Sequence, residues 1–332
     1  MKKIIFVLFN LLMVAVMSSC MASADHEASS YSEKAQEIKI ACWNTQTFFD
    51  SVTEGTEYAE FIKNKAWNED AYRTRLERLS SAIKEFDADV VVLEEIENEG
   101  VMHDIANFLS GEWNSRKAYT HACFAKENGG SIGVGVLSRY ELTSPSVHAL
   151  DIRSGQEMPS MRPLLQVSVL KAGHELTIFV NHWKSMSGGK EETELWRQHQ
   201  EELLARHMSQ KINGETAVIA CGDFNRDLSD FSRGDETGSV YLNAGLDEEG
   251  VTVKSLWYTQ ASTLVEPGSY YFEDEWSRID HFFVSDAVEV LDFNVQTDGP
   301  WCDSVTHIPE RYMIYSGKGY SDHLPITCRV RF

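Results

Sequence analysis

Six short polar fragments follow one another along the 332-residue chain: Trp43-Asn44, Leu93-Glu94-Glu95, Asn181-His182-Trp183-Lys184, Gly222-Asp223-Phe224-Asn225, Arg278-Ile279-Asp280-His281 and Ser321-Asp322-His323. Together they supply carboxylates, amides and imidazoles without a serine or cysteine nucleophile. That inventory suits metal-assisted attack of water on a phosphate ester. Glu95 is the natural principal ligand for a hard cation such as Mg²⁺, which takes oxygen donors and often only one or two protein carboxylates; Mn²⁺ and Ca²⁺ are the alternatives. Asp322 is a second candidate ligand, and Asn44 can add an amide oxygen. Each residue also has a plainer reading, Glu95 in a solvated acidic loop and Asn44 in a turn. In Gly222-Asp223-Phe224-Asn225 the glycine permits a tight turn, and the alternation points Asp223 and Asn225 to one side. They would act as carboxylate base and amide donor to a phosphoryl oxygen, against the plainer Asx turn. His182 and His323 are the imidazoles that can stabilise charge or protonate the leaving oxygen, with Asp280 fixing the tautomer of one of them. The other nine of the 11 histidines read as surface residues. Lys184, Lys190 and Arg197 offer positive charge to a phosphate, or form surface salt bridges.

Most of these fragments follow an apolar run, which collects them at strand ends where a cleft can form. Residues 38–42 alternate into Trp43-Asn44, and 89–93 read as a buried strand ending at Glu94-Glu95. A strand is expected at 133–137, and 164–170 with 175–180 form a hairpin through Ala172-Gly173 that delivers Asn181-His182. Residues 216–220 lead directly into Gly222-Asp223. Tyr72, Leu76, Leu79 and Ile83 recur at three- and four-residue steps and predict a helix over 68–86; further helices are expected at 101–109 and 192–212. The last third is less regular, with strands at 279–284 and 326–330. Helices interspersed with hairpin-linked strands predict an α/β fold with mixed sheets, leaving open two packed sheets or one large one.

Lys2-Lys3, an apolar run from Ile4 to Met17 and Ser18-Ser19-Cys20 form an export signal, too short for a stable membrane span. The small residues before Cys20 resemble a bacterial lipobox, in which that cysteine becomes the lipid-bearing N-terminus; ordinary secretion is the alternative. The expected organisation is therefore a signal over 1–20, a flexible tether over 21–37 and one domain over 38–332. Its expected location is the cell envelope, on the periplasmic or surface face. The net charge of −21 opposes tight nonspecific binding to nucleic acid, and no arginine- or lysine-rich stripe tracks a backbone. Trp183, Trp257, Tyr258, Tyr270, Tyr271 and Trp276 can stack bases or fill the core. The five cysteines after Cys20 lack metal-type spacing, which argues against a zinc site. Cys42 and Cys221 read as small core hydrophobes, and export permits a disulfide involving Cys302 or Cys328.

In this order and spacing the fragments resemble the endonuclease/exonuclease/phosphatase superfamily, over nearly all of residues 38–332. The resemblance implies a four-layer α/β sandwich of DNase I type, two mixed sheets packed together with helices outside, and a divalent metal at the sheet edges. It makes Asn44 and Glu95 the early asparagine and the metal-binding glutamate, with Glu94 standing where the family often has glutamine. His182 and Asn225 become phosphate contacts and Asp223 the residue preparing the water. Asp280 positions the terminal histidine His323, and Asp322 lies at the metal. With Lys184 and Arg197 added from their charge, the expected phosphate-binding set is Asn44, His182, Asn225, Lys184 and Arg197. His281 replaces a tyrosine often seen in relatives, and Glu127 lies in the segment where some relatives pair a glutamate with the first histidine. The implied activity is that of a metal-dependent phosphodiesterase or endonuclease-type hydrolase. A small-molecule or lipid-headgroup phosphatase and a catalytically silent binding module are the alternatives. The expected partner is a phosphate ester, nucleic acid or small molecule. A membrane is met only through the N-terminal lipid, and no protein partner is expected.

Overall fold

The computed structural model describes residues 36–112, 117–150, 152, 158–234, 236–246 and 248–332. The expected signal and nearly all of the expected tether lie outside the described residues; the tether's last residue, Glu37, begins the first strand. That strand, β1 (Glu37–Phe48), leads through α1 (Ala59–Lys63) and α2 (Glu69–Phe86) to β2 (Val90–Ile96), then through α3 (Glu99–Glu112) to β3 (His121–Ala125) and β4 (Gly133–Ser138). The middle of the chain forms β5 (Glu141–His148), β6 (Leu164–Lys171), β7 (His174–His182), α4 (Lys190–Lys211) and β8 (Ala217–Asp223). There follow β9 (Ser232–Arg233), β10 (Ser239–Leu242), β11 (Val251–Ser255), β12 (Tyr270–Phe272), β13 (Glu275–Ser277), β14 (Asp280–Val284), β15 (Glu289–Val295) and β16 (Ile326–Arg331).

These strands build a six-stranded sheet, β15-β16-β1-β2-β4-β3, and an eight-stranded sheet, β5-β6-β7-β8-β14-β11-β10-β9, both mixed. The sheets face one another through β1, β2 and β4 against β7 and β8, with α2 and α3 packed together outside the first and α4 against the second. This is the α/β sandwich that the motif order implies. One apolar cluster fills the space between the layers and includes Trp43, Leu93, Phe179 and Phe282. Strands β2, β7 and β8 are covered on both faces and therefore read as continuous apolar runs rather than alternating ones. Helix α2 buries Tyr72, Leu76, Leu79, Ile83 and Phe86; Asn68 caps its start by accepting from Ala71 N, and Asp87 ends it at φ 43°.

The expected long elements are all present, and the sequence missed the short or exposed ones: α1, β3, β5, β9 to β13 and β15. Strand β5 carries Pro145, which a sheet tolerates at an edge, and its register with β6 shifts between Thr143 and Ser146. Among the described residues Cys42, Cys123, Cys221, Cys302 and Cys328 are free thiols, with no disulfide between them. Among the described residues no helix is long and apolar enough to cross a membrane.

The topology explains why fragments so far apart in the chain meet. Strands β1 and β2 are parallel, as are β7 and β8, so each pair presents its carboxyl ends together. Strands β14 and β16 run antiparallel to β8 and β1, so their starts lie at that same edge. Asp223 is in register with His182 on one side and Asp280 on the other, and Ser321-Asp322-His323 enters β16 beside the end of β1.

Candidate active site

At this edge the regular pleat breaks. The pairing of β1 with β2 shifts between Asn44 and Phe48, and that of β2 with β4 between Glu94 and Ile96; such bulges re-aim side chains. Glu95 has φ 61°, and Gln46 and Thr47 each have φ 52°, uncommon for residues with side chains and a pattern that gathers at functional sites. Glu94 consequently stays between the layers while Glu95 faces the cleft. On the second sheet Gly222 lies at φ 134°, and a Cβ there would stand 1.9 Å from Asn181 O. Only glycine allows that approach of β8 to β7.

Asn44 ties the two sheets together. Its amide nitrogen donates to Asp223 Oδ2 at 2.9 Å and to Glu95 Oε1 at 3.3 Å, while its oxygen accepts from Gln46 N at 2.9 Å. In this arrangement Asn44 shows the carboxylates its N–H face and acts as a strut between them. Glu95 Oε2 accepts from Thr47 N at 2.7 Å. The Asn44–Phe48 bend that presents this donor is held from behind by Arg75, which is buried, donates to Thr45 O, Gln46 O and Thr47 O, and lies 3.6 Å from the Tyr312 ring centroid. Asp223 Oδ1 accepts from Asn225 N at 2.8 Å, and Oδ2 from Asn225 Nδ2 at 3.1 Å; Asn225 adopts φ 46° to make both contacts. Burial pushes the Asp223 carboxyl up to about 7, with Asp280 adding to the effect and His323 opposing it.

The two predicted histidines flank Asp223, His182 Nε2 at 3.7 Å and His323 Nε2 at 3.9 Å from Oδ2. His323 Nδ1 is 2.9 Å from Asp280 Oδ2, the pairing expected of Asp280. Its backbone is pinned by Trp43 Nε1, which donates to His323 O at 2.9 Å, and by Ser321, whose hydroxyl donates to Asn44 O and accepts from His323 N. Burial alone would lower the His323 imidazole, but the charge and hydrogen bond of Asp280, with Asp223 and Asp322, raise it well above its ordinary value. His182 goes the other way. Burial, then Arg162, His323 and Lys184, push it well below its ordinary value, which favours the neutral imidazole.

The cleft, about 710 Å³, is lined by Glu95, Asp223, Asn225, Asp322 and His323, with Lys184 among the predicted cations. Arg197 is a correction. It is fully buried, and its guanidinium donates to Lys184 O, Lys190 O, Thr193 Oγ1 and Glu194, holding the 184–190 loop rather than meeting substrate. Lys190 pairs with Asp230 at 2.6 Å, the plainer surface reading. Arg162 and Arg311, which the motifs did not mark, also line the cleft. Arg162 Nη2 stands 2.9 Å from His182 Nε2. Among the described residues Glu127 does not pair with a histidine; its carboxylate accepts from Ser160 Oγ and Met161 N and so braces the segment that carries Arg162. His281 is buried rather than a surface residue, 2.9 Å from Arg226 O through Nε2, and burial pushes it down to about 4. Trp183 and Trp257 are core, whereas Tyr270 reaches the cleft.

The donor set fits a hard divalent cation. Glu95 and Asp322 are oxygen donors facing a cleft open to water, with side chains 18% and 22% exposed. Asp223, Asp280 and His323 also offer ligand atoms within 4.8 Å of one another, but His323 is already bonded to Asp280, and that trio reads better as a proton-handling chain.

A sequence model of the Endonuclease/Exonuclease/phosphatase family matches residues 39–299. No curated protein matches in a sequence search. Among solved structures, truncated Caenorhabditis elegans TDP2 superposes with a TM-score of 0.57 at 16% identity, covering 89% of this chain and 98% of that one. An endonuclease/exonuclease/phosphatase family protein from Bacteroides thetaiotaomicron gives 0.52 at 16% identity over 89% and 98%. A mannosyl-6-phosphatase from the same organism gives 0.50 at 16% identity over 89% and 100%. At these identities the likeness is one of fold, and residues 300–332, which carry Asp322 and His323 to the site, lie beyond the family match. With that match spanning most of its length, and with its two packed sheets and their polar edge, the chain belongs to the endonuclease/exonuclease/phosphatase family.

Proposed function

We propose that this chain hydrolyses a phosphate ester by in-line attack of a water molecule prepared by Asp223. The observation that carries the reading is the setting of that carboxylate: buried, oriented by Asn44 and Asn225, and pushed up to about 7, where it can take a proton at neutral pH. Members of the family are phosphoester hydrolases and generally use a divalent metal. Glu95 and Asp322 would hold the ion, Mg²⁺ by preference. When bound it offsets charge on the phosphoryl oxygens. Lys184, Arg162 and Asn225 receive those oxygens, and neutral His182 serves as a hydrogen-bonding partner beside them. Charged His323, backed by Asp280, supplies the proton for the leaving oxygen.

On substrate class, one observation favours a small ester over a polynucleotide. The cleft's cations, Arg162, Lys184 and Arg311, all line this one cleft, in a chain whose net charge is −21. A small ester needs only such a cleft, whereas a nucleic-acid track needs cations along its path. The mannosyl-6-phosphatase among the similar structures is in keeping with that choice.

The test is a panel of DNA, RNA, inositol phosphates, sphingomyelin and simple phosphate esters, assayed with Mg²⁺ and with EDTA. Turnover is expected on small esters only, abolished by EDTA, and Asp223→Asn should lower kcat by about 10²- to 10⁴-fold. Unchanged turnover in that variant would sink the proposed mechanism, and preferential cleavage of polynucleotide would restore the nuclease reading.

A further inference from the structure

Strands β12 and β13 belong to neither large sheet. They form a separate two-stranded hairpin whose base is fastened to the proton-handling residues: Asp280 N donates to Ser269 Oγ at 3.2 Å, Leu324 N to Ser269 O at 2.7 Å, and Tyr270 bridges to His323. The Tyr270 ring lies 4.8 Å from the His323 ring, and the Phe272 ring lies 6.3 Å beyond it, parallel to within 19°. Residues two apart on a strand share a face, so these rings form one ladder running outward from His323 along the cleft wall, while Tyr271 packs on Trp276. Phe272 is 56% exposed and lines the cleft, so its ring is open to whatever occupies it.

The hairpin tip has a second property. Phe272 pairs with Glu275, leaving Glu273 and Asp274 as a two-residue turn, both with positive φ, 49° and 64°. Glycine and asparagine suit that turn best; here it carries two acids, and Glu275 adds a third beside them. Next to the outer ring of the ladder, then, the hairpin turn carries a concentration of negative charge, with Asp274 Oδ1 accepting from the Tyr271 hydroxyl at 3.3 Å. The cations Arg162, Lys184 and Arg311 line the same cleft, Arg311 4.0 Å from Asp322.

We infer that the β12–β13 hairpin selects the ester's leaving group: a single ring, aryl or sugar, stacks on Phe272, and its acidic tip turns away a continuing polyphosphate chain. This rests on the phosphoesterase reading above and names the substrate class of that site. An aromatic ring held by two χ angles gives contact area at small entropic cost, and flat rings or the apolar face of a sugar fit it equally.

The experiment compares phenyl phosphate, a hexose 6-phosphate, glycerol phosphate and a single-stranded oligonucleotide on the wild-type protein and on Phe272→Ala and Phe272→Tyr. The expected result is a KM for one or both ring esters at least tenfold below that for glycerol phosphate. Phe272→Ala should raise the ring-ester KM by about tenfold, within the range of a lost stacking contact, leaving kcat and the glycerol phosphate KM unchanged, and Phe272→Tyr should restore it. Which ring ester responds tells aryl from sugar. Equal KM values for ring and acyclic esters, or better turnover of the oligonucleotide, would overturn the inference while leaving hydrolysis intact. If no ester turns over, the phosphoesterase reading itself fails, and calorimetric titration still decides the platform. Tighter binding of phenyl phosphate than of inorganic phosphate, lost in Phe272→Ala, would support it, and equal binding would overturn it.

Discussion

The two walls of the cleft each place one histidine within 4 Å of the same Asp223 oxygen, both buried, yet they push the two imidazoles in opposite directions from their ordinary pKa. On the wall built from β7, the neighbour of His182 is the Arg162 guanidinium, and burial and that positive charge act together to favour the neutral imidazole. On the wall built from β14 and β16, burial pulls His323 the same way, but Asp280 at 2.9 Å outweighs it. The difference teaches that residue type and depth do not set the role of a buried histidine. The partner one bond further out sets it, and that partner comes from a different part of the chain in each case.

The largest effect should come from reversing the His323 wall. Asp280→Asn keeps the hydrogen-bonding shape and removes the charge, so the ring loses its reason to be protonated, and kcat should fall by about 10²- to 10⁴-fold. NMR titration of the ring should show its pKa falling. The stability effect has a defined sign. A histidine raised in the folded state contributes stability that is fully present below its ordinary value of 6.5 and is lost as pH rises through the raised value. The variant should therefore be most destabilised relative to wild type below pH 6.5, and the gap should close as the solution becomes alkaline. For His182 the slope is opposite, since a lowered histidine costs stability as pH falls below 6.5. A gap in Asp280→Asn that widened towards high pH would break the comparison.

A smaller effect is expected on the other wall. Arg162→Met should raise KM by about 10- to 100-fold, the equivalent of a charge-assisted hydrogen bond to phosphate, with a lesser change in kcat. The His182 pKa should rise only part of the way back, because burial is the larger cause of its depression and stays in place. Full recovery to the ordinary value would show that Arg162, not burial, governs that wall.

The asymmetry also marks what could be read in the chain. Asp223, Asn225, Asp280 and His323 were legible because each sits in a compact fragment after or at the start of an apolar strand, and strand order carries such fragments to one edge. Arg162 was not: it stands alone after Met161, in no motif, and reaches His182 only because Glu127 braces its segment. Arg197 failed in the opposite direction, since a charge four residues from Thr193 on a helix looks available until the loop it fastens is known. The orientation of Asn44 was not legible either, because only the Gln46 N–H, presented by two positive-φ residues, shows which way its amide faces. The missed strands are short or edge elements whose partners, rather than their own patterns, make them strands.

The smallest expected effect concerns the floor beneath both walls. Glu94 is fully buried, its Oε1 accepts from Cys42 Sγ at 3.2 Å, and its Oε2 has no hydrogen-bond partner among the described residues. Burial, with the Asp280 charge adding to it, raises its carboxyl well above the ordinary 4.5 and so favours the protonated form, close in shape to the glutamine often found there in relatives. A carboxyl raised in the folded state contributes stability that is intact below pH 4.5 and lost as pH rises towards its folded value, because only the unfolded chain can then ionise. Glu94→Gln removes that loss. Thermal unfolding of the variant should match wild type below pH 4.5 and exceed it by a margin that grows as pH rises from there towards 8. Because Glu94 touches neither histidine, the opposite shifts above it should persist and kcat should change little. A large fall in kcat without a change in stability would mean that the acid takes part in the His323 wall through Asp280, and the two walls would then differ in depth as well as in charge.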